Sequence, residues 1–342
     1  MTISEESLKI RLQAYPYLRR TLGDQWITEQ DQVDPVKSDF PLARWLRLDG
    51  FEAELATLNA ILARLDRVPG IAHRRQRMRA DAPALMETLT ELYFSAWLLE
   101  EGYAFLWPKQ GPDCLINVDA GTTLPVEITT PRIGAWIDDL VERLHFVALR
   151  MHYSVEIEFA LELLPDPSKS PKVVAAIVGD ALSSLAPPDL DTGGETRVAA
   201  IQNHPEYRVC ITLTPSAHPG VVAVTSPGPT SPYSLYWLVI SAAQGKARQL
   251  PEDRAGVLLI GTEQLPKHQQ WSFDIKLRRR DSGEASFDWT TLPNQVKYVI
   301  FYTFELKRLD PFQVTWIRNP MSSLAESAGT LELLRKLAPD PL

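Results

Sequence analysis

Residues 91–132 read ELYFSAWLLEEGYAFLWPKQGPDCLINVDAGTTLPVEITTPR, and the hydrophobic period changes inside this stretch from that of a helix to that of strands. Leu85, Leu89, Leu92, Ala96 and Leu99 recur at helical spacing and predict a helix from about Pro83 to Glu101. Asp81 is a suitable N-cap and Gly102 a suitable residue just past the last turn. Tyr103, Phe105 and Trp107 then alternate, as side chains do along a strand. Two more strands are predicted, about Asp113 to Val118 and Leu124 to Thr129. Asp119-Ala120-Gly121-Thr122 between them is composed of turn-forming residues. A helix that runs into a hairpin of short strands sets the chain in the α/β class.

The hairpin also carries the chemistry. Asp113 opens one strand after Pro112, and Glu127 lies in the next, so pairing brings the two carboxylates together. Hard divalent cations such as Mg²⁺ prefer carboxylate, carbonyl and water oxygens, which makes this pair a sensible Mg²⁺ or Mn²⁺ site. Glu127 and Thr129 are two residues apart and face the same way. Each acid also has a structural reading. Pro-Asp at a strand start is ordinary turn chemistry. Glu127 stands between Val126 and Ile128, where a carboxylate is costly unless paired or metal-bound, and Arg132 is one available partner. Glu91 could be a solvated helix acid.

On these residues the run resembles the first helix and three core strands of the PD-(D/E)XK nuclease superfamily, over about residues 85–132. The resemblance implies a restriction-endonuclease-like fold, a mixed central sheet flanked by helices. It implies Asp113 and Glu127 as metal-binding acids, Ile128 as a backbone-carbonyl ligand and Glu91 in the place of a helical glutamate. The implied cofactor is Mg²⁺ or Mn²⁺. The implied activity is phosphodiester hydrolysis, with DNA ahead of RNA as substrate, in bacterial defence or DNA repair. The later GKARQLP (245–251) and GVLLIG (256–261) are similar in style to the helix and strand that follow in such folds. The departure is Thr129, which stands where the motif has lysine and cannot carry its charge. Lys246, on a helix predicted over Ser234 to Leu250, is the candidate substitute, with neighbouring Gln249 as another. The alternative is a nuclease-like fold that has lost catalysis and serves as a binding or assembly module.

Two basic clusters are candidate phosphate contacts. Arg74, Arg75, Arg77 and Arg79 lie in HRRQRMR (73–79), which otherwise reads as a solvated helix face. Lys276, Arg278 and Arg280 share one face of a predicted strand near Trp271 to Arg279, which otherwise reads as a charged edge strand. Trp107 reads as core rather than as a base-stacking platform.

Outward from this centre, residues 1–80 read as a helical N-terminal extension, with Phe51, Leu55, Leu58 and Leu62 at helical spacing until Pro69-Gly70. They could cover a groove, recognise substrate or form a homodimer or partner contact. Residues 81–342 read as the nuclease-like domain. Helices are expected at Gly134 to Met151, Val173 to Leu185 and Ser323 to Leu337. Strands are expected at Ser154 to Leu163, Arg208 to Thr214, Val221 to Thr225, Gly256 to Gly261 and Lys297 to Leu306.

Composition narrows the classes. With 45% hydrophobic and 23% charged residues the chain is globular rather than disordered. Acidic residues outnumber basic ones 43 to 35, and the net charge of −8 argues against bulk DNA packaging. No apolar run reaches the roughly 18 residues of a membrane helix, so no membrane partner is expected. The first residues lack the pattern of a secretory signal. Two cysteines, Cys114 and Cys210, suit a reducing, cytoplasmic location. The six histidines form no HExxH spacing, and no G-x-S-x-G, phosphate-binding loop or dinucleotide fingerprint is present.

Overall fold

The computed structural model describes residues 3–4, 6–80, 82–130, 135–160, 179, 197–204, 207–216, 220, 222–225, 244–261, 292–308 and 313–338. Within them the chain is mixed α/β. Residues 1–80 are helical, as their periodicity predicts, in α1 (Leu8–Arg11), α2 (Pro16–Leu22), α3 (Asp24–Asp31), α4 (Pro41–Trp45), α5 (Glu52–Arg64) and α6 (Ile71–Arg77). Then come α7 (Ala82–Glu100), β1 (Phe105–Leu106), β2 (Cys114–Asp119), β3 (Thr122–Thr129), α8 (Ala135–Met151) and β4 (Tyr153–Ala160). They are followed by β5 (Arg197–His204), β6 (Tyr207–Pro215), β7 (Val222–Thr225), β8 (Gly256–Gly261), β9 (Val296–Thr303), β10 (Gln313–Arg318) and α9 (Ala328–Leu337). No helix among the described residues is long and apolar enough to cross a membrane.

Contacts divide the chain into two interleaved units. One comprises Met1–Arg11, Asp24–Glu52 and Gly134–Ser231. The other comprises Leu12–Gly23, Ala53–Ile133 and Pro232–Leu342 and holds the acids of the motif. The helices of residues 1–80 are therefore shared between the two units, and residues 134–231 are inserted between β3 and β8.

In the motif-bearing unit the described strands form a six-stranded sheet in the order β1-β2-β3-β8-β9-β10. The pairs β1/β2, β2/β3 and β9/β10 are antiparallel, while β3/β8 and β8/β9 are parallel. The central parallel strands GVLLIG and VKYVIFYT are buried at nearly every position, as expected where helices cover both faces. On α7, Tyr93 stacks on Phe304 with ring centroids 4.4 Å apart, and Phe94 meets Tyr302 of β9 edge-on at 5.7 Å. The helix lies close over the strand ends. A Cβ added at Gly261, the last residue of β8, would come within 2.8 Å of the Thr90 and Thr130 hydroxyls. Those two hydroxyls bond each other at 3.1 Å. Gly102 ends α7 at φ 81°, the left-handed conformation that glycine adopts without strain. At the other end of β2, the Gly329 N–H of α9 donates to Asp119 at 3.1 Å, and Ser327 caps that helix through the Thr330 N–H.

In the other unit the described strands form a four-stranded sheet, β5-β6-β4-β7. Its helices meet around Arg44, whose side chain is wholly buried. The guanidinium reaches Asp139 at 2.6 Å, Glu142 at 2.8 Å and the Ser38 carbonyl at 2.6 Å. Leu48, Phe146 and Leu149 pack together beside it.

The sequence readings of α7, the hairpin, α8, β4, β6, β7, β8, β9 and α9 correspond to elements of the structure, with ends shifted by a few residues. Strands β5 and β10 were not predicted. The helix expected over Val173 to Leu185 lies outside the described residues apart from Gly179. The strand near Trp271 to Arg279, with Lys276, Arg278 and Arg280, lies outside them altogether. Of the helix expected over Ser234 to Leu250, residues 244–250 are described; 244–247 are helical, and 248–250 form a turn instead.

Candidate active site

The hairpin sets the two acids face to face. Cys114 pairs with Val126 in the antiparallel β2/β3 ladder, so one step further along, Asp113 stands opposite Glu127. The β2/β3 ladder stops at Cys114, so the Ile128 N–H has no strand partner on that side. The Asp113 carboxylate takes that N–H instead, at 2.9 Å. Asp113 is thereby fixed in place by the backbone of the strand that carries Glu127.

Glu127 is fully buried. By strict geometry neither of its carboxyl oxygens meets a hydrogen-bond donor, and the Asp113 amide and carboxyl approach without closing a well-formed bond. Burial pushes its pKa up to about 9, and the Asp113 charge adds to the rise; Lys246 opposes it. Near neutral pH Glu127 therefore carries a proton. Arg132, the partner weighed for it on sequence, lies outside the described residues.

Helix α7 contributes Glu91 and, one turn earlier, Glu87. Glu91 is buried and accepts from Arg74 Nε at 2.9 Å and Arg77 at 2.7 Å. Burial pushes its carboxyl upward against the pull of the two guanidinium groups. Both oxygens face an arginine, an arrangement that favours the charged form and occupies the group. Glu91 thus stands one layer behind the acid pair.

Lys246 enters from the helical turn at 244–247. Its Nζ lies 3.2 Å from Glu87 and 3.7 Å from Asp113. Burial works to lower its pKa, but the Asp113 and Glu87 charges outweigh it and the ammonium is held above its ordinary value. Gln249, the other substitute weighed for the missing lysine, is exposed. Thr129 is buried, two residues beyond Glu127 on β3.

Arg74 and Arg75, candidates for phosphate contact, are both engaged within the protein. Arg74 donates to Glu91 and, at 3.3 Å, to the Asp113 carbonyl, and its guanidinium lies 4.3 Å above the Trp107 ring. Arg75 pairs with Asp66 at 2.5 Å. For Arg74 the physical reason is Glu91, a buried carboxylate that draws Arg74 and Arg77 inward; for Arg75 it is Asp66. Trp107 is core, as expected. In this cluster Glu87, Glu91 and Asp113 face Arg74, Arg77 and Lys246.

Glu87 was not singled out from sequence, and Arg77 was read only as part of the basic cluster HRRQRMR. The signal was there in spacing: Glu87 and Glu91 lie four apart on one helix face, and Arg74 and Arg77 three apart on another.

Among the described residues no group of three or more His, Cys, Asp or Glu side chains is disposed to hold a metal ion. Two carboxylates still suffice for Mg²⁺, which keeps several waters and completes its octahedron with substrate phosphates. The unpartnered oxygens of Glu127 beside Asp113 fit that demand. No family model, curated protein or solved structure matches the chain.

Proposed function

We propose that the motif-bearing unit is a divalent-metal-dependent phosphodiesterase of restriction-endonuclease-like fold, acting on nucleic acid, with DNA ahead of RNA. The observation that supports it most is Glu127, buried without a donor, opposite Asp113, with Lys246 delivered to the pair from another element. An acid in that position lowers the stability of the fold unless a ligand compensates. A bound Mg²⁺ or Mn²⁺ would lower the pKa of its water and neutralise charge on the phosphodiester. Asp113 and Glu127 would hold it, with Glu127 giving up its proton. Ile128 fixes Asp113 through its N–H and would add its carbonyl. Lys246 stands in for the absent motif lysine and would donate to a non-bridging phosphate oxygen or to the attacking water. Thr129 contributes no charge. Glu91 supports the acid pair through Arg74 and the Asp113 carbonyl.

A second reading, a non-catalytic binding or assembly module, draws on Thr129 and on a cluster whose acids and bases pair with one another. One experiment separates the two. Thermal unfolding of the wild type is followed with and without Mn²⁺ beside Asp113→Ala and Glu127→Ala. An ion at about 100 times its Kd adds roughly 2.7 kcal/mol to stability. The expected result is a Mn²⁺-dependent rise of several degrees in the wild type, absent from both variants, together with cleavage of plasmid DNA that Lys246→Ala slows by roughly 10- to 100-fold. No rise and no cleavage would leave the binding module as the function.

A further inference from the structure

We infer that Glu87 is the positioning residue that anchors the Lys246 ammonium beside Asp113. This rests on the reading of Lys246 as the displaced cation of the site. A lysine carried by β3 at position 129 would be aimed by the strand itself. One that arrives from the turn at 244–247 has four flexible carbons and three rotatable donors, and nothing in its own stem selects a place for the charge. Glu87 supplies that selection. Its Oε1 is 3.2 Å from Lys246 Nζ, closer than Asp113 Oδ2 at 3.7 Å, which already accepts the Ile128 N–H. Glu87 is itself braced. Arg77 donates to its other oxygen and extends its second arm to Glu91 at 2.7 Å. The chain of contacts runs Glu91–Arg77–Glu87–Lys246–Asp113, from the buried helix to the rim of the acid pair. The ammonium thus lies between two carboxylates of this chain, and of its three donors one would remain for a phosphate oxygen or water. The neutral Thr129 and the acid at 87 are then two halves of one arrangement, in which the helix anchors a cation that the strand does not carry.

The test reads Lys246 directly. Wild type, Glu87→Gln and Asp113→Asn are acetylated under limiting reagent, and the rate at each lysine is read by peptide mass spectrometry. The exposed Lys109 serves as internal control. Glutamine keeps the size of the side chain and its bond to Arg77, so the fold is retained. The expected result is a Lys246 rate raised roughly fivefold in Glu87→Gln, the factor for losing one partly shielded ion pair, and raised less in Asp113→Asn. An unchanged Lys246 rate in Glu87→Gln would overturn the inference. Cleavage gives a second arm. Glu87→Ala and Lys246→Ala should each lose roughly 10- to 100-fold in rate, and the double variant no more than Lys246→Ala alone. Losses that multiply would also overturn it. If the wild type cleaves nothing, the nuclease reading fails, while the acetylation ratio still decides whether Glu87 anchors Lys246.

Discussion

Replacing Glu127 by glutamine keeps the size of the side chain and removes its ionisation. In the folded protein this carboxyl holds its proton up to about pH 9, against an ordinary value of 4.5. Between those two values the folded state binds one more proton than the unfolded state, so stability falls as pH rises, by about 1.4 kcal/mol for each pH unit. By about pH 7 the accumulated cost is about 3 kcal/mol. Glutamine carries none of it. Urea unfolding in the presence of EDTA, from about pH 5 to pH 8, should find Glu127→Gln close to wild type at the acid end. It should then become more stable by a margin that grows to about 3 kcal/mol near neutrality. Adding Mn²⁺ reverses the order, because only the wild type offers a second carboxylate, and its affinity for the ion rises with pH as the proton becomes easier to displace. A margin that stays constant with pH would refute the account of a buried, protonated Glu127.

Two further outcomes follow from the same contacts. Glu91→Gln should lower stability by about 2 kcal/mol through its weakened bonds to Arg74 and Arg77, yet leave the Mn²⁺-dependent thermal shift of wild-type size. A lost shift would place Glu91 among the ligands. In the other unit, Arg44→Ala leaves Asp139 and Glu142 facing an empty pocket and should cost about 3–5 kcal/mol, lowering that unit's melting temperature by of order 10 °C; calorimetry reads it.

The parts of the fold that were legible in the sequence are those with a strong period or strong punctuation. Helix α7 has an apolar stripe and Gly102 at its end; the hairpin has Asp119 to Thr122; β8 is a bare run of VLLI between glycines. Strand β5, RVAAIQNH, has two alanines at its centre and polar residues at its end, so neither alternation nor an apolar run marks it. Strand β10, QVTWIR, is short. The apolar repeat of Phe51, Leu55, Leu58 and Leu62 corresponds to α5, which Gly50, at φ 91°, precedes. The juxtaposition of Asp113 and Glu127 was legible because antiparallel pairing across a short turn is local. The roles of Glu87, Arg74 and Arg77 were not. A charged residue on a helix looks solvated until the tertiary partner that draws it inward is known, and that partner lies outside the helix period. The interleaving of the two units left one compositional trace, the run SPGPTSP (226–232) where the insertion between β3 and β8 ends, and none where it begins at Gly134.

That insertion has a consequence for how the protein is born. Lys246 leaves the ribosome about 120 residues after Glu127, which at about 5–20 residues per second is a delay of roughly 6–24 s. During that interval the arginines of α6 are already synthesised, while the third cation is not. The parallel partner of β3 is also still unsynthesised. The motif-bearing sheet therefore closes only after the whole inserted segment has emerged, and a ribosome stalled inside residues 134–231 presents an unfinished β3 edge, open to pairing with another chain.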